Sequence, residues 1–309
     1  MKVLLATDGS DQATTAFRAA SLLLRREGGE FDLVCVAPEL SFPRGKAGNN
    51  SEKTSRMVED YDHRIRAEAR QHLYRAHAML AALDIDAVMR MEVGSPARVI
   101  TRLAAEYDVT VVGAHDQYTR SKPGLGPVAS RVVAGAPGAA LIGRELDEEG
   151  RQWKILAAID GSLASERALE VMSSSIELEE AEITLLSVAE TPWVNLGLER
   201  EWFDYPPSVT DLDSFPPDRS FKDELRREAE IVLERARRQI ERQGLSATVM
   251  ITEGDPALEI LSEAERGEYD LIVIGATGEN DLKHDLLGSV STKVTQAAPC
   301  STLVVKAIE

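Results

Sequence analysis

The chain has 309 residues, 43% of them apolar, which at about 100–200 residues per domain is enough to fill two cores. No run of roughly eighteen apolar residues occurs and the start turns polar at Thr7-Asp8, which argues against a membrane span or an export signal. Two distant cysteines, Cys35 and Cys300, with no C-x-x-C or His/Cys cluster, point to neither a disulfide framework nor structural zinc, and the net charge of −17 argues against nucleic acid as a partner; a reducing cytoplasm is the expected location.

In chain order, Val3-Leu4-Leu5-Ala6-Thr7-Asp8-Gly9-Ser10 reads as a buried strand ending in a turn, and Asp32-Leu33-Val34-Cys35-Val36 as a second strand. A polar, Gly-rich stretch, Pro38 to Asn50, leads to a predicted helix carrying His63, His72 and His77. Their spacings of nine and five do not stack on one face, so they read as ordinary helix residues. Ser95-Pro96 reads as an N-cap followed by proline at the first helical position, and Val109-Thr110-Val111-Val112 as a strand covered on both faces. The polar stretch Arg144 to Gln152 is the expected hinge.

Beyond it the same order is written again. Ile155 to Ser162 repeats Val3 to Ser10 at an offset of 152; Glu182 to Val188 is the second strand; Leu225, Ala229, Val232, Ala236 and Ile240 form one helical stripe. Glu253-Gly254-Asp255-Pro256-Ala257 matches Val93 to Ala97 at 160, and Gly275, Gly288 and Pro299 match Gly113, Gly126 and Pro137 at 162. A period this long means a duplicated domain, here 1–145 and 152–309, since solenoid repeats run to about 20–50 residues. Strands alternating with helices predict an α/β fold: two tandem doubly wound domains, each an open parallel sheet of about five strands with helices on both faces. The copies differ in charge: residues 1–150 carry 19 basic and 21 acidic side chains, a net of −2, which leaves −15 for the second half.

The sharpest chemical signal follows the fourth strand of the second copy. Gly275-Ala276-Thr277-Gly278, nine residues, then Gly288-Ser289-Val290-Ser291-Thr292-Lys293 opening a helix is the pattern of a phosphate cradle. Glycines allow positive φ and close approach to an anion, helix N-terminal amides point outward, and Ser289 and Ser291 add hydroxyls. Strand-end and helix-cap punctuation explains the same residues without a ligand, and so does turn chemistry at Asp160-Gly161-Ser162.

G-x-x-G, nine residues, G-[S/T], with strand-ending Asp160, resembles the universal stress protein family in its tandem two-domain form. The likeness extends to Ala298-Pro299-Cys300-Ser301-Thr302-Leu303-Val304-Val305, similar to the family's last strand. The resemblance implies an adenine-nucleotide-binding fold, usually with ATP and a divalent cation, Mg²⁺ held through the phosphates. It implies regulation in stress or dormancy through a protein partner rather than a metabolic reaction. Carried over, Asp160 meets the nucleoside and Val188 lies beside adenine; Gly275, Gly278, Gly288, Ser289, Val290 and Ser291 hold ribose and phosphates. Pairing of the family's last strands implies an intramolecular pseudo-dimer, with further association into a homodimer left open.

In the first copy the loop reads Gly113-Ala114-His115-Asp116, nine residues, Gly126-Pro127. Asp116 adds a repelling charge and Pro127 removes an amide and a hydroxyl, whereas Arg120, Lys122 and Arg131 bring positive charge nearby. The expectation is one competent nucleotide site, in the second copy, and a degenerate one in the first. The second copy also carries an insertion, Glu190 to about Ser220, holding Trp193, Trp202, Phe203, Tyr205 and Phe215, five of fifteen aromatics, read as a packing element or a lid. No P-loop, H-E-x-x-H or G-x-S-x-G occurs, so no catalytic residue is assigned, and His284 and Asp285 are not read as one. Slow ATP hydrolysis or nucleotidyl transfer at the same loop, and a ligand-free interaction module, are the alternatives.

Overall fold

A computed structural model describes residues 1–39, 51–115, 124–146, 152–179, 181–190, 219–278 and 287–307, with backbone alone at 51–57 and 219–222. These residues form two compact units, one chiefly Met1–Asp147, the other chiefly Glu148–Ser174 and Leu178–Ala307.

In the first unit, strands β1 (Lys2–Thr7), β2 (Glu30–Ala37), β3 (Ala87–Val93), β4 (Val109–Gly113) and β5 (Ala139–Gly143) alternate with helices α1 (Asp11–Leu23), α2 (Ser51–Ala82), α3 (Pro96–Leu103) and α4 (Pro127–Gly135). The sheet is parallel throughout, in the order β3-β2-β1-β4-β5. Successive strand residues point to opposite faces, so the complete burial of Val3, Leu4 and Leu5 in a row requires cover on both sides. That cover explains why a near-continuous apolar run, rather than an alternating one, specifies β1.

The second unit repeats the plan with β6 (Lys154–Ala158), α5 (Leu163–Ser175), β7 (Glu182–Glu190), α6 (Arg219–Glu241), β8 (Thr248–Gly254), α7 (Pro256–Arg266), β9 (Leu271–Gly275), α8 (Ser289–Ala297) and β10 (Ser301–Val305). Its parallel order is β8-β7-β6-β9-β10. The α6 stripe buries Ala229, Leu233, Ala236 and Ile240, while Val232 is half-buried beside Gly161. Cys35 and Cys300 are both free and buried.

The duplication reaches individual hydrogen bonds. The Lys2 amide donates to Asp108 Oδ2 at 2.7 Å, and the Lys154 amide to Asp270 Oδ2 at 2.9 Å, each pinning the entry of the first strand to that of the fourth. In the first unit Arg90 donates to the Tyr107 hydroxyl at 2.9 Å, and Tyr107 in turn donates to Asp32. In each sheet the strand order reverses between the first and fourth strands, β1 and β4 or β6 and β9. The crevice for a ligand lies outside their carboxyl ends. Asp8 and Asp160 stand at those ends.

Candidate functional site

In the second unit the chain leaves β6 through buried Ile159, whose amide donates to the Leu186 carbonyl at 2.8 Å, and exposes Asp160. Asp160 Oδ1 accepts the Ser162 amide at 3.0 Å and the Ser162 hydroxyl at 2.6 Å; Ser162 Oγ accepts the Ser165 amide at 3.1 Å. One carboxylate oxygen therefore closes the turn and steadies the start of α5. The other faces the glycine loop: a Cβ built on Gly278 would lie 3.2 Å from Asp160 Oδ2. Turn chemistry and a ligand-facing carboxylate coexist on one side chain.

The glycines of the loop do separate things. A Cβ on Gly275 would sit 2.8 Å from the Ser165 nitrogen and 2.9 Å from the Ala164 carbonyl carbon, so Gly275 is demanded by the approach of α5 to the end of β9. Gly113 is demanded likewise by Gln12 and Ala13 in the first unit. Gly288 is the N-cap of α8 with φ −66°, and its amide is already given to the Ala276 carbonyl at 2.8 Å. Positive φ occurs at neither Gly275, Gly278 nor Gly288, which corrects the expectation of left-handed backbone here: these glycines serve close approach.

Of the other residues assigned to the nucleotide, Ser289 is exposed at the first position of α8, Val290 is half-buried, and Val188 is half-buried on β7 in register with Thr252. Ser291 is buried, with Oγ 2.6 Å from the Ala276 carbonyl oxygen and 3.0 Å from that of Gly288. Its hydroxyl ties helix to loop rather than offering a donor outward. Because Gly288 has no side chain to cap α8, the first-turn amides are left to whatever enters the crevice.

One charged cluster was not foreseen. Lys293 Nζ pairs with Asp255 Oδ2 at 3.0 Å, while Asp255 Oδ1 caps α7 by accepting the Ala257 and Leu258 amides at 2.8 and 3.1 Å. Burial opposes the Asp255 carboxylate, but the Lys293 ammonium and the two amides outweigh it and hold its pKa below the ordinary carboxylate value. Glu190, at the end of β7, is pushed up by burial and by Asp255, with Lys293 acting against them. Asp255 thus has the cap role read from Asp-Pro. Ser95 occupies the same place before α3 but makes no side-chain capping bond.

In the first unit Pro127 opens α4 and Arg131 is exposed on it. His72, read as an ordinary helix residue, packs its ring onto Gly9, with Cδ2 2.5 Å from where a Cβ would stand. Gly9 has φ +77°, so both its backbone and this contact exclude larger residues. The signal was available in the repeat, since offset 160 pairs His72 with Val232. Asp116, Arg120, Lys122, His284, Asp285 and the aromatics at 193, 202, 203, 205 and 215 lie outside the described residues, as do most of 38–50 and of the hinge. Among the described residues no group of three or more His, Cys, Asp or Glu is placed to hold a metal ion, and no helix is long and apolar enough to cross a membrane.

Fold and duplication together define a tandem α/β protein in which each copy of the domain has a crevice at its strand reversal. The sequence model of the universal stress protein family matches residues 1–144 and again 153–306. Universal stress protein YxiE of Bacillus subtilis (strain 168) is 34% identical over 157 residues, 50% of this chain and 98% of the relative. Universal stress protein Slr1230 of Synechocystis sp. (strain ATCC 27184 / PCC 6803 / Kazusa) is 24% identical over 306 residues, 94% of this chain and 95% of the relative. In fold the chain is similar to the crystal structure of a universal stress protein from Archaeoglobus fulgidus DSM 4304, with TM-score 0.65, 18% identity and 99% and 98% of the two chains covered. The chain belongs to the universal stress protein family, as a member with two copies of the domain.

Proposed function

We propose that the protein is a cytoplasmic regulatory protein of the stress response whose second domain binds ATP, with Mg²⁺ carried on the phosphates. The observation that supports this most is the pairing of Asp160 with Gly278. The carboxylate is fixed by Ser162 through one oxygen, and the loop leaves room beside the other only because residue 278 has no side chain. Asp160 accepts donors from the nucleoside, the uncapped amides of α8 and the Ser289 hydroxyl receive phosphate oxygens, and Val188 offers apolar contact to the base. The donor set fits a nucleotide-borne cation: Mg²⁺ takes phosphate and water oxygens readily, and the described residues provide no protein cage for it. Ser291 and Gly275 hold the loop and touch no ligand in this reading.

Regulation then requires that ATP favour one of two states of the domain, which changes its affinity for a protein partner. Titration of the full chain with ATP in a calorimeter is expected to give one site per chain. Asp160→Ala and Gly278→Asp are each expected to weaken it about tenfold or more, by loss of a charged hydrogen-bond acceptor and by a second carboxylate in the same space. Two equivalent sites per chain, or unchanged affinity in both variants, refutes the assignment. Single-turnover analysis with labelled ATP is expected to return it unhydrolysed.

A further inference from the structure

The two copies share one backbone at the turn after their third strand. Gly94 and Gly254 have φ +143° and +146°, and Ser95 and Asp255 have φ/ψ −76°/118° and −73°/119°, each followed by proline at the first helical position. The side chains on that backbone differ. In the second copy Asp255 takes the Ala257 and Leu258 amides and the Lys293 ammonium, and Glu190 faces the same cluster. In the first, Ser95 is exposed and does not take the Ala97 and Arg98 amides. Arg131 stands where the second copy has Lys293, Arg98 where it has Leu258, and Pro38 where it has Glu190. Arg98 and Arg131 are exposed, and among the described residues neither has an ion-pair partner. At these equivalent positions the second copy has two acids and one base, and the first has a serine, two arginines and no acid. A phosphate on the serine brings a charge of about −1.5 to −2 and three acceptor oxygens, enough for two amides and two guanidiniums.

We propose that Ser95 is a phosphorylation site whose phosphate makes in the first domain the clasp that Asp255 and Lys293 make in the second. Helix α3 packs on α4 as α7 packs on α8, and Arg131 holds the register from which Lys293 reaches Asp255 at 3.0 Å. Arg98 is at the third helical position, from which a side chain reaches back to the N-cap. In the transfer, Ser95 Oγ attacks the γ-phosphorus of a nucleoside triphosphate held by a protein kinase. The Oγ–P bond forms as the bond from the γ-phosphorus to the β-phosphate oxygen breaks, the nucleoside diphosphate leaves, and the serine proton is released. The site is open to such an enzyme: Ser95 is exposed on extended backbone, follows the edge strand β3 and has no capping bond to break. The kinase must accept proline at the next residue and arginine three residues on. The modification ties α3 to α4 whichever domain binds nucleotide.

Mass spectrometry of the chain recovered from its own cells, growing and starved, is expected to find a peptide phosphorylated on Ser95; its absence from both overturns the proposal. The clasp is tested on the full chain with phosphoserine encoded at position 95. Phosphorus NMR is expected to show the second phosphate pKa lowered from about 6 to about 5.5 or less, returning toward 6 when Arg98→Gln and Arg131→Gln are combined. The urea midpoint is expected to rise on phosphorylation. Ser95→Asp is expected to give part of that rise, and none of it in the Arg131→Gln background. A phosphate pKa indifferent to the two arginines, or a urea midpoint that does not move, overturns the proposal. Millimolar inorganic phosphate is expected to act alike on the unmodified chain and on its Arg131→Gln variant. Stabilisation by free phosphate that depends on Arg131 assigns the turn to an unattached anion and overturns the covalent site.

Discussion

Gly275 and Gly278 stand three residues apart in one motif, yet their missing side chains answer different demands. At Gly275 the space is filled by backbone of α5, which cannot step aside, so Gly275→Ala is expected to destabilise the second domain by about 1–3 kcal/mol, the usual range for overpacking. Urea unfolding of the full chain checks this, and wild-type stability in the variant removes the packing account. At Gly278 the nearest atom is one oxygen of an exposed carboxylate at 3.2 Å, a side-chain contact that small shifts relieve, so Gly278→Ala is expected to cost less stability than Gly275→Ala. Gly113 repeats the packing demand in a domain with a different loop chemistry, consistent with a glycine kept by the fold.

At the scale of the element, α3 and α7 have the same design, a polar N-cap position followed by proline, but differ in what the cap does. Asp255 accepts two amides and a lysine; Ser95 accepts none at its side chain. Asp255→Ala is therefore expected to cost about 0.5–2 kcal/mol at pH 7, whereas Ser95→Ala is expected to be close to neutral in urea unfolding. The pH dependence has a definite sign. A carboxylate whose folded pKa is depressed stabilises above its unfolded value, about 3.9, and loses that contribution as pH falls through the folded pKa. The Asp255→Ala deficit should thus shrink below about pH 4. A deficit that is constant from pH 7 to pH 3 assigns the effect to something other than the charged cap.

For the whole molecule, duplication gives two crevices on one plan, and divergence gives their loops different residues, Gly278 and Ser289 in the second copy against Asp116 and Pro127 in the first. Ligand linkage makes the asymmetry measurable: at about a hundredfold excess over Kd a ligand stabilises the state it binds by roughly 2.7 kcal/mol. Hydrogen exchange read by mass spectrometry is expected to show ATP slowing amides of β6, β9 and the first turn of α8, with β1 and β4 unchanged. Equal protection of β1 and β6 contradicts the proposed confinement of the nucleotide to the second domain. The uneven charge, −2 in residues 1–150 and −15 in the remainder, puts a constraint on the proposed site: ATP bound in the more acidic half would require local amides and an accompanying cation to offset that field.

Much of this was legible in the sequence because it is set by local chemistry and repeated pattern. Continuous apolar runs such as Leu271-Ile272-Val273-Ile274 can be satisfied only by cover on both faces, and the offsets of 152 to 162 fixed the order of elements twice. Asp-Gly-Ser and Asp-Pro announced a turn and a cap by side-chain reach alone. The tertiary structure decided what depends on distance between segments remote in sequence. It set Gly275 against Ser165, Ser291 inward onto Ala276, Lys293 onto Asp255 and His72 onto Gly9. No periodicity encodes such contacts, since packing of one element on another determines which atoms share a space.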